Sequence, residues 1–262
     1  MIKCLAPWHS ILVRFNGDIV PDGVYRKRYG NVLESPLNTV LNSITASYTR
    51  ESFLQGHLPP ECESCALKEA SVGHSRRMFF KDLLNPMLEN TNNSYTKNFN
   101  DIMFLEFNMS NICNLKCRMC NGISSSAWVK DELKLAKMNK DFERPVDHPE
   151  FGYTNKSEEI IQRLFEDPTP FMNLRYLSIK GGEPYMEPAN KTILKKFIDL
   201  GIAKNVTLDW TTNGTMVDDE VQELARQYGH TKWTVSLEGT DALYEYIRGG
   251  KNFTFDQLND NL

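Results

Sequence analysis

The 262-residue sequence has no long apolar run, no surplus of basic residues and few cysteines. No stretch approaches the roughly 18 uncharged apolar residues that a membrane-spanning helix requires. Lys and Arg number 30 against 34 Asp and Glu, a formal net charge of −4, so electrostatics give no reason to expect nucleic acid or an anionic membrane as a partner. Residues 1–4 lack the pattern of a secretory signal peptide. These absences favour a cytoplasmic protein without a nucleic-acid or membrane partner.

The cysteines are few but grouped. The first group is Cys4, Cys62 and Cys65, and the second is Cys113, Cys117 and Cys120. Structural disulfides are rare in the reducing cytoplasm, so cysteines grouped in this way indicate metal ligands first.

Hydrophobic patterning divides the chain into an irregular N-terminal part and a repetitive C-terminal part. Residues 1–81 predict a small α+β module with little core, and residues 82–100 predict a polar linker with a partial helix. Residues 101–262 alternate strands and helices, with strands predicted at Ile102–Phe107, Leu174–Ile179, Val206–Trp210 and Lys232–Leu237. Alternation of this kind predicts an α/β fold with a parallel sheet and right-handed crossovers. In such folds, functional sites lie at the carboxyl ends of the strands.

The second cysteine group forms a C-x3-C-x2-C loop between the first predicted strand of this α/β part and its first helix. Three thiolates on one short loop bind three corners of a cubane and leave the fourth iron open to a small molecule. Structural zinc usually takes four ligands, often in two pairs, and no further Cys or His lies close by in sequence. An open cubane is therefore favoured over zinc, and over a purely structural thiol cluster.

This loop, followed by Gly181-Gly182-Glu183-Pro184 after the second strand, resembles the radical S-adenosylmethionine (SAM) superfamily. The resemblance extends from about Asp101 to the end of the chain. It implies a partial (β/α) barrel and a [4Fe–4S] cluster held by Cys113, Cys117 and Cys120, whose open iron is chelated by SAM. It also implies reductive cleavage of SAM to a 5′-deoxyadenosyl radical that abstracts hydrogen from a substrate.

The same resemblance implies a set of SAM contacts. Met119 occupies the apolar position that packs near adenine in relatives. Gly181, Gly182, Glu183 and Pro184 match the segment that accepts hydrogen bonds from the SAM amino group. Glycine permits a close backbone approach there, and a carboxylate complements an ammonium group. The remaining matches are Thr212 and Asn213 at the end of the third strand, Ser236 where relatives contact the ribose, and Arg248 near the SAM carboxylate or the substrate.

The first cysteine group resembles a twitch or SPASM-type auxiliary iron–sulfur module, here preceding the barrel. The resemblance is carried by Cys4, Pro7, Trp8, the Asn16-Gly17-Asp18 turn, Asn31-Val32-Leu33 and Cys62-x2-Cys65. Twitch modules use four cysteines, and relatives have one where this chain has Asp22. Three interpretations stay open: Asp22 replaces the thiolate, one iron stays open for substrate, or the cysteines bind zinc or nothing. His9 is a further candidate ligand, although a packed or exposed histidine is more common. We favour a second cluster, used for electron transfer from a substrate radical or for anchoring the substrate.

The four predicted strands are fewer than a radical SAM barrel contains, and the chain stops in what is predicted as the fourth helix. We expect a barrel truncated after four strands, as in a fragment of a longer protein; an unusually short barrel is the alternative. The sequence predicts a radical SAM oxidoreductase or modifying enzyme acting on a peptide or small molecule. A flavodoxin- or ferredoxin-like electron donor is implied by the resemblance alone. The competing function is a non-catalytic zinc or iron–sulfur module that binds a partner protein.

Overall fold

A computed structural model of the chain describes residues 4–89, 95–99, 101–139, 156–249 and 253–262. The chain forms two compact units. The first contains Met1–Glu106 and Glu158–Tyr176, and the second contains Phe107–Ser157 and Leu177–Leu262. Part of the linker predicted over 82–100, namely residues 90–94 and 100, lies outside the described residues. The predicted domain limits at residues 81 and 100 stay predictions.

Seven strands lie within the described ranges. They are β1 (Ser10–Arg14), β2 (Asp18–Val20), β3 (Gly30–Asn31), β4 (Phe104–Asn108), β5 (Tyr176–Lys180), β6 (Thr207–Thr212) and β7 (His230–Val235). In the first unit β3, β2 and β1 are neighbours in that order, and β1 and β2 are antiparallel, with Leu12 opposite Val20. In the second unit the order is β4-β5-β6-β7, and β6 and β7 are parallel, with Trp210 opposite Trp233.

Eleven α-helices occur in the same described ranges. They are α1 (Ala6–His9), α2 (Leu37–Leu41), α3 (Ile44–Leu54), α4 (Glu63–Val72), α5 (Arg76–Leu88), α6 (Ser126–Met138), α7 (Ser157–Leu164), α8 (Pro188–Asp199), α9 (Asp219–Ala225), α10 (Asp241–Arg248) and α11 (Phe255–Asn261). No helix in the described part of the chain combines the length and the apolar character that crossing a bilayer needs.

Strands β1 and β2 form a hairpin around the polar Asn16-Gly17-Asp18 turn. Gly17 adopts φ +84°, a left-handed conformation that glycine adopts without steric cost. The Asp18 N–H donates to Asn16 Oδ1 (3.1 Å), which closes the turn through a side chain. Asn31 on β3 donates from Nδ2 to the Asn16 carbonyl (2.9 Å), so the turn is also tied to the third strand.

A buried arginine joins separate segments of the first unit. Arg50 on α3 is fully buried and donates to three backbone carbonyls: Pro7 at 3.0 Å, Leu41 at 2.7 Å and Lys97 at 2.7 Å. A buried guanidinium is tolerated only when its donors are paired in this way. The arrangement holds α1, which directly follows Cys4 and Leu5, against α2 and α3.

All four strands predicted over residues 101–262 are present as β4 to β7, with ends shifted by a few residues. Helix α8 begins at Pro188, because the Glu187 side chain accepts a hydrogen bond from the Ala189 N–H (3.1 Å) and caps the helix. The fold is therefore mixed α/β with a parallel sheet, consistent with a radical SAM barrel. Truncation after these four strands stays a prediction.

Candidate functional site

The second cysteine group lines a cavity of about 210 Å³ in the second unit. Cys113, Cys117 and Cys120 lie in the loop between β4 and α6. The rest of the lining comes from the loop itself, the N-cap of α6, the carboxyl ends of β5, β6 and β7, and the end of α10. These residues are Leu115, Ser124, Ser125, Lys180, Gly181, Gly182, Thr211, Thr212, Asn213, Ser236 and Arg248.

The beginning of α6 holds the cysteine loop from one side. The Cys113 N–H donates to Ser126 Oγ (3.2 Å), and Ser125 Oγ donates to the Leu115 carbonyl (2.6 Å). Trp128 Nε1 donates to the Cys117 carbonyl (3.0 Å). Ser125 is the N-cap residue, but its side chain makes no capping hydrogen bond because its hydroxyl is turned to the loop. Ser125 and Ser126 therefore stand at the start of α6 and also shape the loop.

Two further buried side chains fix the loop beyond Cys120, and sequence reasoning missed both. The Gly122 N–H donates to Glu132 Oε1 (2.7 Å), and the Gly122 carbonyl accepts from Asn111 Nδ2 (2.7 Å). Glu132 is the buried residue of an otherwise amphipathic α6. An acidic residue on the apolar face of that helix was the available signal.

The end of α10 supports the loop from the other side. The Arg118 N–H donates to the Ile247 carbonyl (2.8 Å), and Arg248 Nη1 lies 3.4 Å from Cys117 Sγ. Arg248 also forms an ion pair with Glu238. A hydrogen bond from the Cys120 thiol lowers the pKa of Cys117 to about 6, and Arg248 adds to this effect while burial opposes it. Cys117 is therefore disposed to be the thiolate that a metal centre requires.

The two glycines after β5 allow the strand end to pack on the segment that leads to Cys113. The Gly182 N–H donates to the Ser110 carbonyl (2.9 Å). A Cβ atom at Gly182 would overlap the backbone of Ile112, and Gly181 has φ +130°. Glycine is therefore required here by close backbone packing, in addition to any approach to a cofactor.

Glu183 is fully buried and both of its carboxylate oxygens are occupied. Oε1 accepts from Thr212 Oγ1 and Oε2 accepts from the Asn213 N–H, each at 2.7 Å. Burial raises the pKa of Glu183, although these hydrogen bonds oppose the shift. The carboxylate thus joins the ends of β5 and β6, and its contact with the SAM amino group stays a prediction. Pro184 follows as the start of a 3₁₀ turn, and its carbonyl accepts from Asn190 Nδ2 (3.0 Å).

The other predicted SAM contacts divide into those that line the cavity and those that do not. Thr212, Asn213, Ser236 and Arg248 line it. Asn213 Nδ2 also lies 3.6 Å from Cys113 Sγ. Met119 is 57% exposed and is not among the described lining residues, so its predicted packing near adenine stays a prediction.

The first cysteine group lines a separate pocket within the first unit. Cys4, Cys62, Cys65 and Asp22 all contribute, together with Tyr25, Glu61 and Arg77. Burial raises the pKa of Cys62 to about 12 and that of Cys4 further still, so these thiols need a bound metal centre to be thiolates. His9 is buried against the Tyr95 ring, 5.8 Å between centroids, and is absent from the described lining of this pocket.

The donor set of the second cysteine group is that of an iron–sulfur cluster with an open corner. All six cysteines are free thiols. Cys113, Cys117 and Cys120 line one cavity, and three thiolates can hold three corners of a [4Fe–4S] cubane. Structural zinc usually takes four ligands, and no fourth cysteine is among the described residues of that lining.

Comparison with protein families agrees with both sites. A family model of the radical SAM superfamily matches residues 107–260, and a model of the SPASM iron–sulfur cluster-binding domain matches residues 4–66. No curated protein matches the sequence significantly. The first match implies a [4Fe–4S] cluster and SAM as cofactors, and the second implies an auxiliary iron–sulfur cluster. Because the first match covers more than half of the chain, this protein belongs to the radical SAM superfamily of iron–sulfur enzymes and carries a SPASM-type module.

Proposed function

We propose that this chain cleaves SAM reductively and that the resulting 5′-deoxyadenosyl radical abstracts a hydrogen atom from a peptide or small-molecule substrate. One observation carries the proposal. Three thiol side chains line one cavity with the Gly181–Gly182 backbone, and no fourth cysteine is among the described residues of that lining. A cluster bound there by protein thiolates alone would keep one open iron.

The chain's own residues hold and orient the thiolates. Asn213 Nδ2 is placed to donate to Cys113 Sγ, and Arg248 Nη1 is placed to donate to Cys117 Sγ. Hydrogen bonds of this kind fix ligand geometry and tune the electronic properties of a metal centre. Cys120 is positioned by its backbone N–H, which donates to the Cys117 carbonyl (3.0 Å).

The remaining lining is suited to SAM. Backbone groups of Gly181 and Gly182 are open to the cavity, and Ser236 offers a hydroxyl at the end of β7, where we place the ribose. Lys180 and Arg248 add positive charge for a carboxylate. Glu183 acts indirectly, since it holds Thr212 and Asn213 in place.

The auxiliary cluster extends this chemistry. We propose that it accepts an electron from a substrate radical or anchors the substrate, which would make the overall reaction an oxidation or a modification. A flavodoxin- or ferredoxin-like protein is the proposed electron donor. We place the activity in the reducing cytoplasm, because six free cysteines indicate that compartment.

The test is anaerobic reconstitution followed by reduction with dithionite in the presence of SAM. The expected product is 5′-deoxyadenosine, measured by liquid chromatography. Replacing Cys113, Cys117 and Cys120 with Ala should abolish its formation, whereas the matched Cys65→Ala variant should retain it. Zinc in place of iron and sulfide at Cys113, Cys117 and Cys120, or 5′-deoxyadenosine from the triple variant, would overturn the proposal.

A further inference from the structure

We infer that Asp22 is the fourth protein ligand of the auxiliary cluster, bound through Oδ2, and that Arg76 is the positioning residue that orients it. The inference deepens the proposed function, because an auxiliary cluster with four protein ligands has no iron open for anchoring a substrate. It therefore assigns this cluster to electron transfer. The alternatives, an iron left open for substrate or cysteines that bind zinc or nothing, do not account for the contacts around Asp22 in the first unit.

Asp22 is in the right place. It is 8% exposed and lines the same pocket as Cys4, Cys62 and Cys65. It lies two residues beyond β2, and Ser10 Oγ donates to the carbonyl of the preceding residue, Pro21 (2.8 Å). The hairpin and this hydrogen bond position the Asp22 backbone at the pocket.

The hydrogen bonds described for the Asp22 carboxylate go to one of its two oxygens. The Gly23 N–H donates to Oδ1 (2.6 Å), and Arg76 Nε donates to the same oxygen (2.9 Å). Among the hydrogen bonds of the described residues, none reaches Oδ2. Carboxylates that bind a metal through one oxygen are commonly held by hydrogen bonds to the other. Asp22 has this pattern, with two hydrogen bonds to Oδ1.

Arg76 does not form the bidentate ion pair with Asp22 that is common in structural Arg–Asp salt bridges. Its Nη2 is turned to Glu106 Oε2 (3.3 Å) instead of to the second oxygen of Asp22. The guanidinium lies over the rings of Phe79 (4.4 Å to the centroid) and Phe80 (4.8 Å), which hold its plane. Oδ2 is therefore kept available by the way Arg76 is packed.

Glu61 is the competing ligand. It lines the same pocket, and its Oε2 is buried without a hydrogen-bond partner in the described residues. Its ion pair with the exposed Lys27 is a long one, 3.9 Å. Glu61 and Cys62 are consecutive in a 3₁₀ turn (Pro60–Cys62), where neighbouring side chains diverge by about 120°. The long ion pair leaves Glu61 available, but the divergence from Cys62 favours Asp22, and Glu61 provides the matched control.

The experiment uses the full chain with Cys113, Cys117 and Cys120 replaced by Ala, so that only the auxiliary cluster forms. This parent is compared with Asp22→Asn, Glu61→Gln and Asp22→Cys after anaerobic reconstitution. Iron and sulfide are counted, and EPR spectra are recorded after mild oxidation. We expect about four irons per chain in the parent, in Glu61→Gln and in Asp22→Cys. After the mild oxidation, Asp22→Asn should fall to about three irons and show the EPR signal of an oxidised three-iron cluster, because an iron without a protein ligand is the one that oxidation releases.

Arg76 is tested separately by Arg76→Gln, made both in the parent, which keeps Asp22, and in the Asp22→Cys variant. Loss of iron in the parent but not in the Asp22→Cys variant shows positioning, because a thiolate does not need the Arg76 hydrogen bond. Equal loss in both shows a structural role and overturns the assignment of Arg76.

Four irons kept by Asp22→Asn after mild oxidation, or loss of iron in Glu61→Gln alone, overturns the assignment of Asp22. A parent that binds zinc, or no iron, contradicts instead the auxiliary cluster of the proposed function. The two failures are therefore separate, and the Asp22→Cys variant distinguishes a lost ligand from a misfolded unit.

Discussion

At the scale of single residues, Arg248 combines two contacts that its sequence position did not reveal. Resemblance placed it near the SAM carboxylate or the substrate. The structure places its Nη1 at 3.4 Å from Cys117 Sγ and pairs it with Glu238, and the residue is 6% exposed. A positively charged group that donates a hydrogen bond to a thiolate ligand stabilises the reduced state of the cluster, because that state is the more negative one and the site is shielded from water.

Arg248→Gln should therefore lower the reduction potential of the cluster bound by Cys117. One charge-assisted hydrogen bond corresponds to a decrease on the order of 60 mV. EPR-monitored redox titration measures it, in protein whose first cysteine group is replaced by Ala. Arg226→Gln is the control, because Arg226 is an exposed arginine paired with nearby Glu223. Equal potentials in the two variants would contradict the role given to Arg248.

At the scale of elements, the ends of β4 and β5 pack together through backbone contacts that exclude a Cβ atom. The Glu183 N–H donates to the Ile112 carbonyl (2.6 Å), immediately before Cys113. Gly182 lies against the same carbonyl. The cysteine loop is therefore positioned by β5 as well as by α6.

Gly182→Ala should displace the segment before Cys113 and destabilise the second unit by about 1–3 kcal/mol, as overpacking does. Iron bound by Cys113, Cys117 and Cys120 should fall together with SAM cleavage. Gly201→Ala is the matched control: it has φ +72° and open space around it, so it costs about 1 kcal/mol without touching the loop. The measurements are thermal unfolding, iron content and 5′-deoxyadenosine. Equal iron loss in both variants would show general destabilisation instead.

At the scale of the whole molecule, each compact unit contains one cysteine group. Cys4, Cys62 and Cys65 belong to the first unit, and Cys113, Cys117 and Cys120 belong to the second. Neither pocket takes a described lining residue from the other unit. Two cofactor sites that share no ligand should load independently.

Replacing Cys62 and Cys65 with Ala should therefore reduce the iron content from about eight to about four atoms per chain. The remaining iron should stay bound to the second group, and SAM cleavage should continue. Iron analysis and the 5′-deoxyadenosine assay measure the two effects. Loss of all iron would show that the sites are coupled in assembly.

Much of this organisation could be predicted because it is local in sequence. Short apolar segments that alternate with helical ones predict the strands, and the spacing of Cys113, Cys117 and Cys120 places three thiols on one loop. The contacts that complete the sites are not local. Glu132 was missed because its partner, Gly122, is recognised only when α6 packs on the loop.

The sequence alone determined which thiols are available, their grouping and the family's chemistry, because ligand type and spacing are properties of the chain itself. Only the tertiary structure decided where the polar atoms point. Glu183 is turned to β6, 30 residues from Asn213 along the chain. Asp22 is oriented by Arg76, 54 residues away. A carboxylate is oriented by hydrogen-bond donors that folding brings close to it. Because these donors lie far away along the chain, the spacing of residues in the sequence does not predict which donors they are.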